Sequence, residues 1–180
     1  NVTGNNLIPP LPSGVNATRE IEKESLHPNE STPITVRIVG NENALALHEI
    51  PPEGWNVTRG IDNADLFKNS TNEWVWKSME TNKTVTYTLT APANISIGTY
   101  QIEGTIRNAN GILANVEGDT SVKIDILEFY RRLGNDSAVV ETIDLLIAID
   151  DFRNNIVPQG FNRPLSAEEV EELVKEWRNS

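Results

Sequence analysis

Cysteine is absent from the 180 residues, which excludes disulfides, thiolate zinc sites and cysteine nucleophiles. Histidine occurs only as His27 and His48, and no G-x-S-x-G, H-E-x-x-H, P-loop or dinucleotide fingerprint is present. The expectation is therefore a protein that is not an enzyme. The plentiful Asp and Glu read as an acidic surface rather than a glycosidase pair, and Asp150–Asp151 as a solvated helix end. No run of eighteen apolar residues occurs, so nothing predicts a membrane-spanning helix. Positive charge is scarce: 15 Lys and Arg stand against 26 Asp and Glu, for a net charge of -11 and a pI near 4.6. Scattered cations on an acidic chain do not make a phosphate-binding surface, so nucleic acid is not an expected partner.

What is present is a folded protein's balance of 38% hydrophobic and 23% charged residues, in a chain long enough for one generous domain or for a domain of about 120 residues with a small appendage. The chain opens on Asn1 rather than Met, as a mature exported product would.

The strongest signal is the triplet Asn-x-Ser/Thr, the acceptor of N-linked glycans. It occurs at Asn1, Asn16, Asn29, Asn56, Asn69, Asn82, Asn94 and Asn135, never with proline in the middle. With 21 Asn and 25 Ser or Thr in 180 residues, random placement gives about three such triplets. Turn-rich composition also enriches these residues, but an excess of this size spread over the first 137 residues predicts a glycoprotein, extracellular and at the cell surface.

Hydrophobic spacing divides the chain. Residues 1–16 hold three prolines and one apolar island, Leu7, Ile8 and Leu11. They read as an extended N-terminal arm, either a disordered leader or a segment that docks along a sheet edge of a neighbouring copy. Residues 17–126 carry period-two runs: Thr35–Val39, Trp74–Trp76, Thr84–Leu89, Thr99–Ile106 and Ser121–Ile126, with weaker ones near 17–24, 44–50, 55–58 and 112–116. Seven to nine strands at about ten-residue spacing predict a mainly β fold, an antiparallel sandwich. Trp55, Trp74 and Trp76 suit either a sugar-binding platform or, more commonly, an aromatic core.

From about 127 the period lengthens. Thr142–Phe152 predicts a helix capped by Thr142. In the second helix Ser166 and Glu169 form a capping box, and Val170, Leu173, Val174 and Trp177 recur at helical spacing. The second stripe is expected to bury against the first helix.

The two segments VVETIDLLIAIDDF (139–152) and PLSAEEVEELVKEW (164–177) make this 127–180 tail resemble the dockerin-like modules that end many archaeal extracellular proteins. The preceding HPNESTPITVRI, IPPEGW, EWVW, VTYTLTAP and GTYQIEGTI are similar in style to immunoglobulin-like modules of archaeal surface proteins. The resemblance implies an immunoglobulin-like β-sandwich followed by a dockerin-like helix pair, with a cohesin-like surface protein as partner. It also implies a calcium loop: with Asp144 at its last ligand position, Glu141, Ser137 and Asn135 fall on earlier ones, while the first falls on Leu133, which has no side-chain oxygen. The second loop has Pro158, Gly160 and Asn162 at ligand positions and reads as empty. No other cofactor is expected.

Two functions stay open. One is a structural subunit of a surface filament, sheath or layer that joins copies of itself. The other is an adhesive module that binds carbohydrate or protein and is tethered through its tail.

Overall fold

A computed structural model describes residues 14–40, 42–78, 82–133 and 139–180. Its strands follow in the order β1 (Asn16–Ile21), β2 (Ser25–Leu26), β3 (Ser31–Val39), β4 (Leu45–Ile50), β5 (Asn56–Arg59), β6 (Leu66–Lys68), β7 (Glu73–Trp76), β8 (Lys83–Thr90), β9 (Gly98–Gln101), β10 (Glu103–Asn108), β11 (Gly111–Gly118) and β12 (Ser121–Ile124). Three helices end the chain: α1 (Ile126–Arg131), α2 (Thr142–Arg153) and α3 (Ala167–Asn179).

The period-two runs become strands because one phase of each is apolar. In β8, Val85, Tyr87 and Leu89 are buried between half-exposed threonines, and in β3 Thr32, Ile34, Val36 and Ile38 face the same way. The strands assemble into a large curled sheet of order β5-β8-β3-β1-β11-β10-β4-β7-β6 and a small one of order β2-β12-β9. The large sheet folds over on itself, and β4 and β7 come to face β8. Trp74 lies against Tyr87 with ring centroids 5.7 Å apart, and the Trp74 and Trp76 indole N–H groups donate to Asp62 Oδ2 and Asn63 Oδ1, both at 3.2 Å.

The fold departs from a purely antiparallel sandwich. β1 pairs parallel with β11, and β12 parallel with β2, so both sheets are mixed. The run Thr99–Ile106 is two strands: β9 joins the small sheet and β10 the large one, and the chain crosses at Ile102. The short β6 and the helix α1 carry too few residues to show a period. Thr142 is the first helical residue of α2 rather than its cap; Glu141 occupies that place.

Two charged residues stand in the buried phase of their strands, Arg19 after Ala17 and Glu49 after Leu47. Their side chains meet in a fork: Arg19 Nε donates to Glu49 Oε2 at 2.9 Å and Nη2 to Oε1 at 3.0 Å. Tyr87 adds a third donor to Glu49 Oε2 at 2.6 Å, and burial pushes its phenol well above the ordinary value. Arg19 Nη1 satisfies the carbonyls of Ile102 and Asp119, at 3.1 and 2.9 Å. Gly104 is required beside this network, because a Cβ there would overlap Glu49 Oε1 and stand 2.7 Å from Arg19 Nη2.

Breaking a buried ion pair leaves an uncompensated charge. Glu49→Gln or Arg19→Met alone is therefore expected to cost about 3–5 kcal/mol, and Tyr87→Phe about 1.5–3 kcal/mol. The double change Arg19→Met/Glu49→Gln should cost clearly less than its two parts together. Urea unfolding of the four variants checks this, and strictly additive losses would show that the groups do not act as a unit.

Candidate functional site

Six of the predicted glycan acceptors lie among the described residues, and all six are exposed: Asn16, Asn29, Asn56, Asn69, Asn82 and Asn94. Asn1 and Asn135 lie outside the described residues, as do Leu7, Ile8 and Leu11. The exposed acceptors have a pattern. The large sheet ends in β5 and β6 and the small one in β2 and β9, and each of these edges has an acceptor on it or within four residues of it. Asn56 opens β5 and Asn69 follows β6; Asn29 follows β2 and Asn94 precedes β9. These edge strands are only two to four residues long, as is usual where an exposed edge must not pair with other chains.

The helices gather at the end of β3 that carries Ser31. Phe129 of α1 meets Phe161 edge-on at 6.0 Å between centroids. Gly160, with φ of +87°, brings its backbone so near Pro28 that an added Cβ would sit 2.9 Å from Pro28 Cβ. Glu30, beside Pro28 and Asn29, anchors the junction: it accepts from the His27 N–H at 3.0 Å, from Lys23 Nζ at 3.2 Å and from Arg132. Burial alone would raise the Glu30 carboxyl, but these donors outweigh it and hold the group below its ordinary value of 4.5. A hollow of about 330 Å³ lies here, between His27, Asn29, Phe129, Arg132 and Gln159. On the far side Arg131 forks to Glu176 of α3, at 2.9 and 2.6 Å.

Of the four residues aligned with a calcium loop, Asn135 and Ser137 lie outside the described residues. Asp144 is 1% exposed and caps its own helix, accepting from the Glu141 N–H at 2.9 Å, as an acidic residue in the first turn does. Among the described residues its Oδ1 has no hydrogen-bond partner. Among the described residues no cluster of three or more metal-binding side chains occurs, so the described part of the loop does not make up the six to eight oxygens that calcium needs.

The α2–α3 pair buries less than its sequence offers. Leu145 and Ala148 of α2 and Leu173 of α3 enter the core, and α3 packs on α2. On the outer side of α2, Ile143 is 51% and Leu146 56% exposed. Ile147 continues this face, and Ile143, Val139 and Trp177 line a shallow hollow of about 530 Å³ at its start. Trp177 Nε1 donates to Thr142 Oγ1 at 3.2 Å, which fixes the indole there. Trp177, expected in the stripe that buries on the first helix, lies instead at the rim. Trp55, Trp74 and Trp76 are all buried and form no exposed platform.

No family model matches the chain, and no curated protein does. Among solved structures it is similar to the reeler domain of human F-spondin, with 13% identity and a TM-score of 0.42 over 61% of this chain and 87% of that one. It is similar also to a type II cohesin domain from the cellulosome of Acetivibrio cellulolyticus, with 8% identity and a TM-score of 0.37 over 62% and 95%. A non-cellulosomal cohesin from the hyperthermophilic archaeon Archaeoglobus fulgidus matches at 11% identity and a TM-score of 0.34 over 67% and 99%. These likenesses are too distant to identify a family.

Because folding lowers the Glu30 carboxyl, its contribution is complete above the ordinary carboxylate value and fades as the pH falls through the lowered one. Glu30→Gln should therefore lower the melting temperature at pH 7, and the gap to the unchanged protein should narrow in acid. Thermal melts from pH 7 to 3 check this; a gap that widens in acid would refute it. Chelator is expected to leave the melting temperature unchanged, and a large drop would restore calcium to the 133–144 loop.

Proposed function

We propose that the protein is a non-catalytic, N-glycosylated extracellular assembly protein, a subunit of a surface filament, sheath or layer. On this reading the sheets are an immunoglobulin-like body and α2–α3 a dockerin-like tail; Leu7, Ile8 and Leu11 belong to the arm that joins copies. The observation that carries the reading is the placement of the predicted acceptors: every described one is exposed, and while Asn16 and Asn82 lie at the inner strands β1 and β8, four of the six, Asn29, Asn56, Asn69 and Asn94, stand on or within four residues of the strands that end the two sheets. A glycan at each would cover the backbone groups that otherwise recruit foreign strands. Such a coat has value where the protein is crowded against copies of itself and open to proteases. The buried tryptophans lend no support to a carbohydrate-binding platform.

Intact mass of protein made by a glycosylating host should exceed the 20.0 kDa of the bare chain, and Thr58→Ala should remove one glycan from Asn56. Electron microscopy of the native material should show polymers. A native mass equal to the bare polypeptide would refute the glycoprotein reading, and native protein that stays monomeric would refute assembly.

A further inference from the structure

We propose that the hollow at the junction of sheets and helices is the seat of the first sugar of a glycan carried by Asn29, and that this sugar latches the helical end of the molecule onto the sheets. The inference rests on the glycoprotein reading above and gives one acceptor a role that a surface coat does not have.

The first observation is position. Asn29 opens an acceptor triplet with Glu30 and Ser31, and it lines the hollow of about 330 Å³ itself, together with Pro28 of the same turn, Phe129 of α1, Arg132 at the end of that helix, and Gln159. A sugar joined covalently at the rim need not be captured from solution. A tether as short as one side chain gives an effective concentration of the order of millimolar or higher, so contacts too weak to hold a free sugar suffice here. The acceptor at Asn135 follows Leu133, another residue of the lining, but lies outside the described residues, and the test separates it from Asn29.

The second is rigidity. The turn His27–Glu30 is closed by the Glu30 N–H donating to the His27 carbonyl at 3.0 Å. Pro28 stands at its second position and Asn29, with φ of +65°, at its third, as in a type II turn. The Asn29 N–H donates to the Pro92 carbonyl at 3.4 Å, and the Glu30 side chain is anchored by Lys23 and Arg132. Asn29 and Ser31 are nevertheless exposed. The acceptor is thus open to a transferring enzyme while its backbone is already fixed, which leaves little freedom to lose when the sugar seats.

The third is chemical match. A sugar ring has an apolar C–H face and a hydroxyl-bearing edge. The half-buried Phe129 and Pro28 supply an apolar wall for the face. The exposed Gln159 amide, which has no hydrogen-bond partner among the described residues, supplies donor and acceptor for the edge. The volume stands at the low end of the range of about 300–1,000 Å³ for ligand sites, which suits a single ring rather than an extended chain. A ring seated there touches the β2–β3 turn on one side and α1 with Gln159 on the other, and so ties the two parts together.

The test uses the full chain from a host whose glycans begin with N-acetylglucosamine, trimmed enzymatically to that first sugar, beside unglycosylated protein from a bacterial host. Ser31→Ala removes the acceptor while keeping Asn29 in its turn, and is measured in both forms so that its intrinsic effect is subtracted. The sugar at Asn29 should raise the melting temperature by about 2–4 °C or more. Gln159→Ala, neutral in the unglycosylated protein, should remove most of that gain, and Thr58→Ala, which vacates Asn56, should remove none. Before trimming, an amidase should release the Asn29 glycan from folded protein roughly tenfold more slowly than the Asn56 glycan. An occupied Asn29 whose sugar adds no stability would overturn the proposal and leave the glycoprotein reading standing. So would a gain that survives Ser31→Ala and disappears with Ser137→Ala, which vacates Asn135, and so would an Asn29 left bare while other acceptors are occupied. A bare mass at every acceptor would overturn both.

Discussion

The fork between Arg19 and Glu49 is the constraint on which the arrangement of the sheets depends. Its members come from β1 and β4, on opposite arms of the curled sheet, and Tyr87 joins from β8. The guanidinium also holds the carbonyl at Ile102, where the chain leaves one sheet for the other, and the carbonyl of Asp119, in the turn before β12. A guanidinium has five donors in a fixed plane; four contacts here go to four different partners' atoms, two on one carboxylate and two on backbone. Apolar packing alone would permit the arms to slide past each other, since dispersion has no direction. Directional bonds in a dry interior admit a single register.

That lock sets the rest. With Ile102 fixed, β9 must run with β12, and β12 leads directly into α1, whose Tyr130 enters the same core as the strands. The helices are thus attached twice, through the chain and through the cluster of Glu30, Arg132 and Pro28 around the β2–β3 turn. Hydrophobic contacts run without a break from Val15 to Leu173. The helical end is therefore part of the sandwich's own packing, while the outer side of α2 is left bare.

Much of this was legible in the residues. Val85, Tyr87 and Leu89 alternating with threonine announced their strand, and Ser166 with Glu169 announced the start of α3. What failed to show had physical causes. β6 is three residues long and α1 six, below the length at which a period declares itself. The split at Ile102 occurs inside an unbroken alternation and depends on a carbonyl claimed from β1. Arg19 and Glu49 look like surface charges until their phase is counted: each falls two residues from a buried neighbour on a strand that is otherwise apolar on that face. The exposed Asn-x-Ser/Thr triplets could be counted in the sequence, but the position of four of them beside sheet edges depends on strand order, which pairs residues far apart in the chain. Thr142 yielded the cap to Glu141 because Asp144 could close back on the Glu141 amide.

β1 lies inside its sheet with β3 antiparallel on one side and β11 parallel on the other. The chain enters it at the end remote from the helices. Tension applied between Gly14 and α2 would run along the strand axis, loading the ladders on both flanks in shear, so that many bonds share the force and must rupture together. Peeling from an edge would break them singly. Under tension along that axis the ladders on both flanks of β1 are loaded together rather than one bond after another.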